Sequence, residues 1–380
     1  MGIPLEFILF GLTLAGIAVF HRHTLAIALT GLAFLLTWKG FAGFPLVPHL
    51  REEARLLANL AALLLGFAVL ARHFSDSGIP GLMPRFLPDD WKGPFCLLVF
   101  VFAISTCLDN IAAALVGGTV AASVFRGRVR VGYLAALVAA SNAGGAGSVL
   151  GDTTTTMLWI AGVPAAKPLT AFIGSGIALI GCGIPAALAQ HRHQPIAADP
   201  APGARLDPKR AAVVASMLAG ALLANLAWDL PGAGVWIAVL LWMPFVRLPA
   251  KALPEAARGA VFLCALVLMA SLMPVESLPA ASWHTTLGLG FVSAVFDNIP
   301  LTRLALRQGG YDWGLLAYAV GFGGSLLWFG SSAGVALAAS FPEMRSVGKW
   351  IREAWWMAPA FLLGFMVMVW TAGWHPIPLP

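Results

Sequence analysis

The sequence predicts an all-α, polytopic membrane protein built from two inverted repeats, each with five spans, a re-entrant hairpin and a broken helix. Three observations predict it. Of 380 residues, 59% are hydrophobic and only 11% charged, against about 25% charged in an ordinary soluble domain. Apolar runs recur along the whole length, many near the ~20 residues that cross a hydrocarbon core. Two short polar signatures also appear twice, in the same order, as expected of an internal repeat.

So few charges cannot cover a water-facing surface, so the first partner of this chain is the lipid bilayer. The net charge of +6 does not point to nucleic acid. The basic residues sit in short loops between apolar runs, and no basic cluster is interleaved with aromatic residues. Cys96, Cys107, Cys182 and Cys264 all lie inside apolar runs without CxxC spacing. That pattern argues for packing in helices and against disulfides or a zinc site. The first apolar run is followed at once by His21-Arg22-His23 and a second run, with no small-residue cleavage site. It reads as a span and not as a signal peptide.

In the first repeat, residues 1–190, spans are expected at 4–20, 24–38, 54–71, 131–163 and 168–190. Residues 95–125 are apolar but interrupted by Asp109-Asn110, a pair poorly tolerated facing lipid. The pair suits the tip of a hairpin that enters and leaves on one side, buried in protein or lining a cavity. The span 131–163 contains Ser141-Asn-Ala-Gly-Gly-Ala-Gly-Ser148. Each Gly costs about 1 kcal/mol against Ala, so this stretch is expected to unwind between two half-helices. Residues 191–210, polar and rich in Pro and Ala, read as a linker.

The second repeat, residues 211–380, follows suit. Spans are expected at 211–227, 233–246 and 259–275, then a hairpin at 283–306, a broken span at 315–340 and a last span at 350–372. The first signature is Ser105-Thr-Cys-Leu-Asp109-Asn110-Ile111, matched by Ser293-Ala-Val-Phe-Asp297-Asn298-Ile299. The second is Gly144-Gly145, five residues, Gly151-Asp152, matched by Gly323-Gly324, five residues, Gly330-Ser331. Five spans per half is odd, so the second half starts on the opposite side and the repeats are inverted. Of the 23 Lys and Arg, this topology leaves only Lys39, Arg51, Arg55, Lys167, Arg303 and Arg307 on the poorer side. By the positive-inside rule the linker is then cytoplasmic and both termini lie outside a plasma (inner) membrane.

Asp109, Asp152 and Asp297 fall in breaks at membrane depth, where acids mark ion or proton pathways. The symmetry places the tips carrying Asp109-Asn110 and Asp297-Asn298 together near the midplane. Each tip also exposes free backbone groups, and carbonyls with a carboxylate make a hard-cation site. The competing reading is that each Asp caps the helix that follows it, and both roles can coexist. Thr153 and Thr154 offer hydroxyls beside Asp152, whereas for Thr155 and Thr156 capping is the preferred reading. Asn142, Ser325, Ser331 and Ser332 lie beside the Gly breaks, as ligands or as satisfied structural groups. Arg303, six residues after Asp297, is a possible charge partner for a carboxylate, a snorkelling side chain or a contact for an anionic substrate.

The glycines lack the preceding strand and following Lys of a phosphate loop, so no nucleotide is expected. No Ser-His-Asp or Cys-His arrangement suggests an enzyme, and no cofactor is implied.

With the two signatures in place, the chain resembles the ion transporter superfamily, which includes arsenite permeases, citrate and dicarboxylate carriers and NhaD-type sodium/proton antiporters. The run from Asn142 through Gly151-Asp152-Thr-Thr-Thr-Thr-Met-Leu-Trp159 is closest to the NhaD type, as is Gly323-Gly-Ser-Leu-Leu-Trp-Phe-Gly-Ser-Ser-Ala-Gly-Val335. The resemblance covers roughly residues 96–364. It implies a homodimer with scaffold and transport domains, elevator-like motion, and Na⁺ or Li⁺ exchanged for protons at Asp109, Asp152 and Asp297. The chain departs from the NhaD pattern at Ala112, Ala113 and Ala114, where hydroxyls are expected, and at Arg303. The alternative is a permease for an arsenite-like oxyanion or a citrate- or dicarboxylate-like acid. Three intramembrane acids against one base favour cations.

Overall fold

The computed structural model describes residues 4–20, 23–82, 86–106, 109–149, 151–196, 205–228, 230–274 and 279–377. Part of the expected linker (197–204) and Cys107 and Leu108 of the expected first hairpin lie outside the described residues, as do His21, Arg22 and Arg85. Among those described, all regular structure is helical and no strand occurs. A chain in hydrocarbon must satisfy its backbone groups within each segment, which leaves the helix as the economical choice.

The first half contains α1 (Leu5–Val19), α2 (Thr24–Phe41), α3 (Leu46–Asp76) and a short α4 (Ile79–Leu82). It continues with α5 (Lys92–Ser105), α6 (Asn110–Val124), α7 (Val131–Ala146), α8 (Thr153–Ile160) and α9 (Ala171–His193). The second half contains α10 (Pro208–Trp228), α11 (Pro231–Trp242), α12 (Leu253–Ser271), α13 (Trp283–Ser293) and α14 (Asn298–Gln308). It ends with α15 (Trp313–Gly323), α16 (Ser332–Ser340), α17 (Val347–Ala354) and α18 (Met357–Thr371). Among the described residues, α2, α3, the stretch Pro168–His193, α10 and α12 are long and apolar enough to cross a membrane. This is a multi-pass helical membrane protein.

Three boundaries differ from expectation. α3 runs for 31 residues, well beyond 54–71. Arg51, Glu52, Glu53 and Arg55 end a hydropathy window, but they are good helix formers and do not end a helix. α7 continues through Ser141–Ala146, and the break begins only at Gly147. Gly144 and Gly145 stay helical because close packing needs them. A Cβ on Gly144 would overlap the Phe102 carbonyl oxygen, and one on Gly145 would come within 2.7 Å of the Gly151 carbonyl oxygen. The last span, expected unbroken over 350–372, is two helices bent by 59°. Pro359, in the first turn of α18, has no N–H, and its ring would clash with the carbonyl one turn earlier in a continuous helix.

Helices α1–α3 and α10–α12 pack on one another: α1 on α2, α2 and α3 on α12, and α3 on α10 and α11. The other helices gather around α7, α9, α15 and α18. Helices also cross between the halves, α6 lying on α16 and α14 on α8.

Matching residues of the two halves make matching contacts. Ser105 Oγ donates to the carbonyl of Ser141, and Ser293 Oγ donates to the carbonyl of Val320 at 2.6 Å. A Cβ on Gly323 would overlap the Gly290 carbonyl oxygen, just as one on Gly144 would overlap that of Phe102. Phe102 and Gly290 stand the same distance before the Asp of their signatures.

Candidate functional site

Asp109 opens α6. Its backbone is extended, and Oδ1 accepts from the Ile111 N–H at 2.8 Å, capping the helix. Its other oxygen accepts from Thr153 Oγ1 at 3.5 Å. Asp152 opens α8 in the same way, accepting from the Thr154 N–H at 3.2 Å. Its second oxygen accepts from Asn298 Nδ2, on α14 of the other half, at 3.0 Å.

Asp297 departs from the expected cap. Its backbone torsions, φ −52° and ψ 142°, nearly equal those of Asp109, φ −50° and ψ 142°. Yet its side chain makes no cap bond to its own helix. Oδ1 instead accepts from the N–H of Ser332, the first residue of α16, at 3.2 Å. The second helix break thus lies against the second tip, and the free N–H groups of α16 compete successfully for the carboxylate.

Asn142, fully buried on α7, joins the breaks. It accepts from Asn110 Nδ2 at 3.0 Å and donates to Ser325 Oγ at 2.9 Å and Ser331 Oγ at 3.0 Å. Ser331 Oγ in turn accepts from the Gly334 N–H at 3.3 Å and caps α16. Thr155 and Thr156 donate their hydroxyls to nearby carbonyls, Thr156 Oγ1 to that of Val149 at 2.7 Å. Their hydroxyls donate rather than accept, and the capping expected of them is supplied by Asp152.

The site residues therefore form one network, with Asp152 within electrostatic range of both Asp109 and Asp297. They do not converge on one point. Among the described residues, no group of three His, Cys, Asp or Glu side chains is arranged to hold a metal ion. Each carboxylate serves a different helix start. A small cavity opens between this network and the neighbouring helices, lined by Asp109, Asp152 and Thr153 on one side and by Phe67 of α3 and Asn225 of α10 on the other.

Five buried side-chain oxygens have no hydrogen-bond partner among the described residues: Asp297 Oδ2, Asn298 Oδ1, Thr302 Oγ1, Thr154 Oγ1 and, away from this network, Ser175 Oγ. Three of them belong to the start of α14. Buried polar atoms without a partner are rare and call for a water, a proton or an ion.

Arg303 meets none of the three aspartates. Its Nη1 donates to Glu53 Oε2 of α3 at 3.1 Å. The side chain is about one-third exposed, so it does not simply snorkel to the surface. The sequence offered no signal for Glu53, which sits among charged residues that read as a loop. Asn225 was not singled out either; the one available signal is that it is a lone amide in an apolar run. Thr302 was not signalled at all, since an isolated Thr on a helix is usually bonded to its own backbone.

No protein-family model matches the chain. It is similar to two curated proteins of Arabidopsis thaliana. It is 29% identical over 283 residues to sodium/proton antiporter 1, covering 62% of this chain and 48% of that protein. It is 29% identical over 284 residues to sodium/proton antiporter 2, covering 62% of this chain and 66% of that protein. The chain thus spans about half the length of the first and under two thirds of the second.

Proposed function

We propose that this chain is a secondary active transporter exchanging Na⁺ or Li⁺ for protons, with no cofactor, in the plasma (inner) membrane. The observation that carries the reading is the set of buried, unpartnered oxygens at the start of α14, Asp297 Oδ2 with Asn298 Oδ1. A carboxylate and an amide oxygen suit a hard cation, and a proton on the carboxylate satisfies the same need. Two ligands competing for one group is the physical basis of antiport. Asp109, Asp152 and Thr153 offer a related oxygen set at the cavity of the first half. The names of the two similar Arabidopsis thaliana proteins agree with this reading.

The two halves are read as inverted repeats, with the linker cytoplasmic and the termini outside. Helices α1–α3 and α10–α12 are the scaffold, and the hairpins and broken helices move against it as an elevator. The scaffold surface carries exposed apolar side chains such as Leu12, Phe34, Leu223, Leu241 and Phe245. These suit lipid and a second subunit. Cross-links between subunits are expected mainly among these helices. Cross-links found mainly between hairpins would exclude this homodimer.

An oxyanion or organic acid draws less support, because the charge of Arg303 is already matched by Glu53. The deciding experiment is proton flux in proteoliposomes on addition of Na⁺, Li⁺, K⁺, arsenite or a dicarboxylate. A response to Na⁺ or Li⁺ is expected. Transport of an anion with no cation response would replace this reading.

Asp152 provides a graded check. In Asp152→Asn the amide oxygen keeps the helix cap, because Asn caps about as well as Asp, while an amide nitrogen replaces the second oxygen and the bond from Asn298 Nδ2 is lost or must turn round. The variant is expected to fold normally and to exchange more slowly than wild type, with residual activity. Wild-type rates would assign Asp152 to capping alone.

A further inference from the structure

We propose that the ion pair between Glu53 and Arg303 is a one-sided latch. It ties the helix that carries Asp297 and Asn298 to α3, and it opens for that helix to move. The inference rests on the reading above, in which the hairpins and broken helices shift against α1–α3 and α10–α12.

Glu53 is fixed on its own side. It is buried on α3, with His49 one turn earlier placing Nε2 4.0 Å from Oε1. The same His49 nitrogen lies 2.8 Å from Ser271 Oγ of α12, which ties Glu53's surroundings to a second scaffold helix. Arg303 is the partner on the other body, its Nη1 3.1 Å from Glu53 Oε2. It follows Asp297 by six residues, about 9 Å along a helix. α14 is only 11 residues long, so a short rigid rod joins the latch to the carboxylate. Moving Asp297 along or across α3 must stretch this pair.

The surroundings let the pair open. Glu53 and Arg303 line a cavity between α3, α12 and α14, together with Glu52, Ser271 and Arg307. Breaking a sealed pair leaves a buried charge without compensation. A polar cavity with further charged side chains and room for water lowers that penalty.

The latch also breaks the likeness of the two halves. The residue six positions after Asp109 is Leu115, which is buried on α6. α6 meets α3 as well, but Leu115 brings no charge to that contact. Of two otherwise matching hairpin arms, one is held by apolar packing and the other by packing and an ion pair. That difference favours one end of the alternation over the other.

The test joins the two positions reversibly. In a background where Cys96, Cys107, Cys182 and Cys264 are replaced by Ala, Glu53→Cys and Arg303→Cys are combined. Transport is measured before and after a bifunctional, reducible thiol linker, on whichever ion or solute the wild-type protein carries. Loss of Na⁺ specificity therefore does not touch the outcome. We expect the linked protein to lose at least nine-tenths of its rate and a reducing agent to restore it. Undiminished transport with the link in place would overturn the latch, and so would absence of transport before linking. Independently, Glu53→Arg and Arg303→Glu should each alter the rate several-fold, and the double reversal should return it most of the way. A double variant no better than the singles would show that the two charges do not act as a pair.

Discussion

Asp297→Asn and Asp109→Asn are each expected to reduce the proposed cation/proton exchange to the background of empty liposomes, while the protein keeps its fold. The substitution preserves shape and one acceptor oxygen. In Asp297→Asn that oxygen still accepts from the Ser332 N–H, now 3.2 Å from Oδ1. In Asp109→Asn it still caps α6 through the Ile111 N–H, and Asn ranks with Asp as a cap, so the helix start changes by well under ~1 kcal/mol. What disappears is the ability to carry a proton at one moment and a negative charge at the next. The amide also places two N–H groups where Asp297 now has an unpartnered Oδ2, and these repel a cation. The measurement is dequenching of a pH-sensitive dye in proteoliposomes holding purified wild type or variant, with melting temperature in detergent as the control for folding. Exchange by both variants at wild-type rates would remove these aspartates from the mechanism.

The second large effect is on folding. Gly144→Ala and Gly323→Ala are each expected to destabilise the protein by about 3 kcal/mol, at the upper end of overpacking. The added carbon would overlap a backbone oxygen, that of Phe102 or of Gly290. Backbone cannot swing aside as a flexible side chain can, so an arm must shift. Gly288→Ala supplies the contrast: it lies within α13, and a Cβ there meets nothing within 4 Å. That change should leave stability equal or raise it by up to ~1 kcal/mol through helix propensity. Thermal melting in detergent reads all three. Equal melting temperatures for wild type and Gly144→Ala would show that the α5–α7 contact is looser than this geometry.

Much of the polar network can be traced to sequence separations of a few residues. Asp109 and Asp152 cap helices that begin at the next residue, and a polar residue followed by an apolar run signals such a start locally. The same holds for Ser331 at α16. Other features sit between residues far apart in the chain. Asn142 reaches Ser325 across 183 residues, and Arg303 reaches Glu53 across 250. Asp297 looked like its neighbourhood-matched twin, with the same motif and the same backbone torsions. Its carboxylate nevertheless turned to α16, because a second set of free N–H groups arrived there only through packing.

The sequence by itself determined that this chain is helical and membrane-spanning, that two signatures recur in order, and that Asp109 and Asp152 can each cap the helix that follows. Composition and local periodicity decide those matters, because lipid permits few alternatives and a cap acts within one turn. Only the tertiary structure decided that α7 keeps its helix through two glycines, which donor each aspartate receives, and that Arg303 is matched by a buried acid on α3. Those outcomes depend on which helix faces lie against each other. A buried polar group takes whichever partner packing supplies, and no local rule names that partner in advance.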